Sequence, residues 1–477
     1  MQIFSIMLVE QIYTGCLAQA AYYIESKGEA AIIDPLRDVD AYLQKAKANN
    51  ATIKYIFETH FHADFVSGHL DLAKATGASI VYGPTAKPGF EAITATDNQE
   101  FILGDITVRL LHTPGHTMES CCYLLIDERG SQRMLFSGDT LFLGDVGRPD
   151  LAQKAANMTQ EELAGLLYDS LQTKIMPLSD DIIVYPAHGA GSACGKNMSK
   201  DTSDTLGHQK ATNYALRKGI TRTEFIQEVL TGLTKPPQYF PLNVMLNKQG
   251  YENVGEVIKK GTTPLSVAEV AQLSKDNSIM LLDARKPQDF AAGHIPGAIN
   301  IGINGDFAPW VGTIIEDINQ KIVLITDATV SEVVARLARV GYDHCIGYLD
   351  GGMNAWVAAG KPVQKVESIT ADELATRLET HPVAFLLDVR KQSEYGSEHV
   401  IGAENIPLNY INDNKTDWDR DATYYVHCAA GYRSMIFISL MQAKGYNNFI
   451  DVQGGFKAIK ESSRLNTSHY VEPITML

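Results

Sequence analysis

Residues 1 to about 245 alternate short apolar runs with loops rich in Gly, His and Asp. Ala30-Ala31-Ile32-Ile33-Asp34, Tyr55-Ile56-Phe57-Glu58 and Ile182-Ile183-Val184-Tyr185 are too short for buried helices and end in polar residues. They predict buried strands whose ends present a site. Helical periodicity lies between them, over 159–172 and 222–232. The amino terminus has no basic segment of the kind that opens a signal peptide, carries Glu10, and alternates like a first strand. Lys235-Pro236-Pro237 and the polar 247–263 stretch mark the exit from this region. The expected organisation is a domain over 1–245 and a linker over 246–262.

An internal repeat follows. Leu281-Leu282-Asp283-Ala284-Arg285 recurs as Leu386-Leu387-Asp388-Val389-Arg390, and Gly293-His294-Ile295-Pro296-Gly297-Ala298 as Glu398-His399-Val400-Ile401-Gly402-Ala403. Asp350-Gly351-Gly352 answers Gln453-Gly454-Gly455. With strand and helix patterns alternating inside it, a repeat of this length predicts two copies of a small α/β domain, over 263–361 and 362–477.

Composition narrows the class. The chain has 477 residues, 45% hydrophobic and 20% charged, as in soluble globular proteins. Its net charge of −15 argues against nucleic acid and anionic membrane as partners. No stretch approaches the roughly 18 uncharged apolar residues of a spanning helix, so the expected location is cytoplasmic. Six scattered cysteines (16, 121, 122, 194, 345, 428) form no C-x-x-C pair. Adjacent Cys121 and Cys122 are expected on opposite faces of a strand, and a disulfide framework is not expected.

The strand over 53–58 runs into Thr59-His60-Phe61-His62-Ala63-Asp64-Phe65. Leu111-His112-Thr113-Pro114-Gly115-His116, Phe136-Ser137-Gly138-Asp139 and Tyr185-Pro186-Ala187-His188 follow. Each cluster closes an apolar run, so all four can meet at one sheet edge. Imidazoles with a carboxylate suit zinc, iron or manganese.

With this H-x-H-x-D signature and its downstream His and Asp, the region resembles the metallo-β-lactamase superfamily. The binuclear hydrolases of that family read H-x-H-x-D-H, whereas this chain has Phe65 at the last position. A phenyl ring cannot ligate, and the departure is similar to the persulfide dioxygenases of the superfamily. That resemblance implies one Fe(II) per chain, held by His60, His116 and Asp139, with zinc as the alternative. It makes His62, Asp64 and His188 outer-sphere groups or alternative ligands. Arg148, in Gly147-Arg148-Pro149, is expected to meet substrate, as are Tyr185 and Cys194 near the His188 strand end.

In the second repeat copy, Tyr424-Tyr425-Val426-His427 reads as a strand leading into Cys428-Ala429-Ala430-Gly431-Tyr432-Arg433-Ser434 and a helix. A thiol at such a junction faces backbone N–H groups and the positive end of the helix, which favours a sulfur anion. The six-residue loop from Cys428 to Arg433, with Asp388, Arg390 and His399, resembles a rhodanese, a sulfurtransferase that carries Cys–S–S⁻. In the first copy the stretch Thr326-Asp327-Ala328-Thr329-Val330-Ser331-Glu332 is expected to put Asp327 at the nucleophile and Glu332 near the arginine, leaving that copy inactive.

The implied whole is an α/β multidomain protein, a metallo-β-lactamase αββα sandwich followed by two rhodanese-like α/β domains. The resemblance is to persulfide dioxygenase–rhodanese fusions of sulfide detoxification. Implied partners are a low-molecular-weight thiol persulfide, O2, and sulfite or thiosulfate, within a homo-oligomer. The alternative is a glyoxalase-II-like, metal-dependent thioester hydrolase fused to a rhodanese, and Phe65 is the feature against it.

Overall fold

The computed structural model describes residues 7–380, 385–413 and 416–472, apart from the side chains of 154 and 155. It divides into two compact units, the chain passing from the first to the second after Val254.

Six strands, Leu8–Thr14, Gln19–Ser26, Glu29–Ile33, Thr52–Phe57, Ser79–Tyr82 and Ile93–Thr94 (β1–β6), form the first sheet of the first unit in that order. Six more, Glu100–Leu103, Ile106–His112, Cys121–Ile126, Gln132–Gly138, Ile183–Pro186 and Asp204–Thr205 (β7–β12), form the second. Side chains alternate across each strand, so each sheet supplies two apolar faces. Tyr22, Ile33, Phe57 and Val81 of one sheet meet Val108, Leu110, Tyr123 and Phe136 of the other in a central core. Tyr23, Ile32 and Ile56 pack outward against Tyr42, Ala46 and Leu72 of helices Asp40–Ala48 and His69–Thr76. Leu124, Leu135 and Val184 pack outward against Ala164, Leu167 and Phe225 of helices Gln160–Ser170 and Arg222–Leu230. Three cores between four layers make an αββα sandwich. Cys121 lies in the central core and Cys122 in the outer one, as alternation requires.

The 246–262 segment, within which the boundary between the units falls, is helical. It carries helices Phe240–Gln249 and Val254–Gly261. Its amino-terminal part is tied to the first unit: Asn247 accepts from Ser67 N and donates to the carbonyls of His62 and Phe65, and Asn253 and Val254 N donate to Asp71. Polar residues that read as an exposed exit are spent on capping the turn after β4.

The second unit holds two five-stranded sheets with one strand order and all-parallel pairing. The first copy comprises Pro264–Leu265, Ile279–Asp283, Ile299–Asn300, Lys321–Ile325 and Cys345–Leu349 (β13–β17), ordered β13-β17-β16-β14-β15. The second comprises Ser368–Ile369, Phe385–Asp388, Glu404–Asn405, Tyr424–His427 and Phe449–Val452 (β18–β22), ordered β18-β22-β21-β19-β20. Among the described residues no helix is long and apolar enough to cross a membrane.

Candidate active sites

The turn after β4 delivers His60 to one edge of the sandwich, and the loops after β8 and β10 deliver His116 and Asp139. All three are buried, and one donor atom from each lies within 4.8 Å of the others. His116 Nε2 is 3.4 Å and His60 Nε2 3.9 Å from Asp139 Oδ2, with the two rings perpendicular at 4.9 Å. Each ring is aimed through its other nitrogen: His60 Nδ1 meets Thr59 Oγ1 at 3.0 Å, and His116 Nδ1 meets the Arg148 carbonyl at 2.9 Å. Outer contacts of this kind fix the tautomer and leave Nε2 for a metal. Burial, then the neighbouring histidines, hold the His60 pKa well below 6.5, which keeps the neutral, ligating form. Both Asp139 carboxylate oxygens are buried without a hydrogen-bond partner. An orphaned buried carboxylate beside two aimed imidazoles fits a divalent cation. Gly147 donates its N–H to the Asp139 carbonyl, and a Cβ there would collide with that oxygen, so glycine is required.

His62 turns the other way. Its Nε2 lies 3.0 Å from Asp34 Oδ1 and 3.4 Å from Glu58 Oε2. Burial disfavours its charge, but these two carboxylates outweigh burial and raise its pKa well above 6.5. A protonated imidazole cannot ligate. Phe65, fully buried, covers it at 4.3 Å between ring centroids. Asp34 also accepts from Thr59 N and Oγ1, so it braces His60 through Thr59. Asp34, Glu58 and Thr59 are functional neighbours that motif reading missed; the acid closing the apolar run 30–34 was their signal.

Asp64, His188 and Cys194 form a second buried cluster of donors. His188 Nε2 is 3.5 Å from Asp64 Oδ2 and 3.5 Å from Asp139 Oδ1, while its Nδ1 is held by the Ala18 carbonyl. Burial, then the charges of Asp64 and Asp139, push the Cys194 thiol well up from its ordinary pKa. It is a neutral thiol unless a cation is present.

Two residues expected to meet substrate have protein partners of their own. Arg148 is 1% exposed, and its guanidinium is taken by a bidentate pair with Asp150 at 2.8 Å and by the carbonyls of Ala193 and Thr234. It is a buried strut whose own carbonyl aims His116. Tyr185 stacks on Phe136 at 5.6 Å and meets Tyr22 edge-on in the core between the sheets.

In the second unit, Cys428 sits between β21 and helix Tyr432–Ala443. Its sulfur accepts from Gly431 N at 3.1 Å, and Gly431 has φ +95, which glycine tolerates. Arg433 makes a bidentate pair with Glu394, at 2.5 and 2.8 Å. Phe456 N donates to the Cys428 carbonyl, and a Cβ on Gly455 would collide with that oxygen.

The first copy differs by one residue from the sequence expectation. Ile325 pairs with Asp283 as His427 pairs with Asp388, and Gly352 faces the Thr326 carbonyl as Gly455 faces that of Cys428. Thr326, not Asp327, therefore takes the place of Cys428. The helix starts, Val330 and Tyr432, keep the same offset, so Glu332 stands at Ser434 and Ser331 at Arg433. Glu332 pairs with Arg336 instead of facing the loop.

The metallo-beta-lactamase superfamily model matches residues 14–188. A metallo-beta-lactamase from Staphylococcus aureus subsp. aureus COL is 32% identical, covering 72% of this chain and 98% of that one, with TM-score 0.61. The chain belongs to the metallo-beta-lactamase superfamily. The rhodanese-like domain model matches twice, at residues 266–359 and 370–462, so the metallo-beta-lactamase domain is followed by two rhodanese-like domains. The hydroxyacylglutathione hydrolase of Francisella tularensis subsp. novicida is 34% identical over 168 residues, 35% of this chain. The chain spans only 61% of the length of that relative. ETHE1 from Myxococcus xanthus is 28% identical, covering 51% of this chain and 99% of that one at TM-score 0.44.

Proposed function

We propose that the first unit is a mononuclear iron persulfide dioxygenase and that the second copy of the repeat is a sulfurtransferase working through Cys428. The observation that carries the first part is the two-His, one-carboxylate donor set, with His62 paired to Asp34 and Glu58 and Phe65 closing its side. His60, His116 and Asp139 would hold one Fe(II), whose open positions and redox chemistry suit dioxygen and a sulfur anion. The net reaction is RSS⁻ + O2 + H2O → RSH + SO3²⁻ + H⁺. Thr59 and the Arg148 carbonyl hold the imidazole orientations throughout, and the buried walls of the site exclude bulk water from the persulfide.

In the second unit the Cys428 sulfur takes sulfane sulfur from a persulfide or thiosulfate and hands it to an acceptor. Gly431 N and the amino end of the Tyr432–Ala443 helix stabilise the anionic carrier.

The Asp64–His188–Cys194 cluster favours one alternative. With Asp139 it would give a second cation a thiolate in place of the donor lost at Phe65, as a two-metal thioester hydrolase requires. Elemental analysis with oxygen uptake on glutathione persulfide separates the two. One iron per chain and oxygen uptake, both lost in His116→Ala, are expected. Two zincs per chain with turnover of S-lactoylglutathione, and no oxygen uptake after iron loading, would replace the dioxygenase reading by the hydrolase.

A further inference from the structure

A polar chain lies behind Cys428 that loop geometry alone does not require. The Cys428 thiol points at Ser434 Oγ, 3.8 Å away, and the Ser434 hydroxyl donates to Asp451 Oδ1 at 2.8 Å. Asp451 lies on β22 at zero exposure. Its other oxygen takes only long contacts, 3.4 Å each, from Gln288 Nε2 and Ser368 Oγ. The side chains that reach its carboxyl, Ser434 on the helix after the loop, Ser368 on β18 and Gln288 on a helix of the first copy, are all neutral, and the one charged neighbour, Glu367, meets Asp451 N through its carbonyl and pairs its side chain with Arg377. A buried carboxyl with three neutral donors and no cation is an unusual choice for mere packing. Burial pushes its pKa up to about 6, against the hydrogen bonds that lower it.

The first copy supplies an internal control. Register places Thr326 at Cys428, Glu332 at Ser434 and Tyr348 at Asp451. Where the sulfur is missing, both residues behind it are missing too, although the scaffold around them is kept.

We propose that Asp451 is a positioning residue that sets, through Ser434, how readily Cys428 gives up its proton and carries sulfur as an anion. The inference rests on the reading of the second copy as a sulfurtransferase. A neutral thiol donates to Ser434 Oγ while Ser434 donates to the Asp451 carboxylate. A thiolate or persulfide cannot donate, and it needs the Ser434 hydrogen for itself. Ionised Asp451 competes for that hydrogen. Protonated Asp451 donates to Ser434 Oγ instead and turns the hydroxyl toward sulfur. Only protons move in this exchange. The transfer it serves, Cys–S⁻ + S2O3²⁻ → Cys–S–S⁻ + SO3²⁻, forms one S–S bond as another breaks.

The charged groups around the sulfur act in both states of Asp451. Arg433 is paired with Glu394, Lys391 lies near both, and His427 is buried beside Asp388 and Arg390. They set the level of the thiol titration; they do not add an Asp451-dependent step to it.

The test uses the full-length protein. The ultraviolet absorbance of the Cys428 thiolate, taken as the difference from Cys428→Ser at each pH, is followed alongside the pH profile of kcat/KM for thiosulfate sulfur transfer. In the wild type both are expected to show an extra step near pH 6. Asp451→Asn, which can only donate or accept as a neutral group, is expected to lose that step. Its thiolate fraction should rise by about three- to tenfold at pH 6.5, the effect of half to one pKa unit. Ser434→Ala should lose the step as well, and Ser434→Thr, which keeps the hydroxyl, should retain it. An unchanged profile in Asp451→Asn and Ser434→Ala overturns the proposal, as does a Ser434→Thr profile like that of Ser434→Ala. If Cys428→Ser leaves transfer intact, the sulfurtransferase reading itself fails, which is a distinct outcome.

Discussion

The two rhodanese-like copies share one strand order and the same buried ion pair, and differ where sulfur would sit. Asp283 and Arg285 make the same bidentate pair as Asp388 and Arg390, with the shortest contact 2.6 Å in both. His294 Nδ1 donates to the Phe290 carbonyl and its ring stacks on that of Phe290 at 3.7 Å; His399 does the same with Tyr395 at 3.9 Å. The repeated motifs are therefore architecture. What separates the copies is Cys428, Arg433, Ser434 and Asp451 against Thr326, Ser331, Glu332 and Tyr348, and a close glycine against a loose one. Motif conservation inside a repeat says which residues hold the fold, and the exceptions say where the chemistry is.

The sharpest way to break this comparison is to exchange the sulfur. Cys428→Ser is expected to bring sulfur transfer down to the uncatalysed background. Adding Thr326→Cys to that variant should not rescue it, because a thiol there lacks the loop contacts and the residues behind it. Recovery of more than about a hundredth of wild-type transfer would show that the nucleophile alone separates the copies, since geometry losses of this kind cost about 10²-fold.

The glycines offer a controlled second test. Gly352 and Gly455 have the same φ of +57, so alanine strains both equally, by about 1 kcal/mol. Only at 455 does the new Cβ strike the Cys428 carbonyl; at 352 the nearest atoms are Asp327 Oδ1 at 3.8 Å and Thr326 O at 3.9 Å. Gly455→Ala should therefore lose roughly 10²-fold in transfer, and Gly352→Ala should lose only stability. Thermal melts and transfer assays on both variants check this, and equal activity losses would contradict it.

A pH effect on the first copy touches stability alone and leaves sulfur transfer unchanged. Burial pushes the His294 pKa from 6.5 down to about 4, so the folded state binds fewer protons than the unfolded one. Stability is then lost as pH falls from 6.5 through 4, by on the order of 3 kcal/mol. His294→Asn should flatten that part of the denaturation profile in the second unit.

Much of this was legible in the chain. Alternating apolar runs gave the strands, and four polar strand ends gave His60, His116, Asp139 and His188, because a metal site needs convergent donors and those are rare residues at conspicuous positions. The direction in which His62 turns was not legible: it depends on Asp34, about thirty residues away and in left-handed backbone at φ +49. The partners of the Arg148 guanidinium were not legible either, since the Ala193 and Thr234 carbonyls are backbone atoms that no motif records. The 246–262 segment read as a linker because its polar side chains serve another turn of the chain. The one-residue slip between Asp327 and Thr326 needed strand register, since the repeat offset is 105 before the loop, 102 at the loop and 103 after it.

In the proposed division of labour a metal centre would oxidise persulfide sulfur and a separate cysteine would move it. The most direct measurement is oxygen uptake and product analysis on iron-loaded Cys428→Ser protein with glutathione persulfide. Wild-type oxygen uptake, one sulfite per O2 and no enzymatic thiosulfate are expected. Absence of oxygen uptake in both this variant and the iron-loaded wild type, or thiosulfate formed at the wild-type rate without Cys428, would contradict that division of labour.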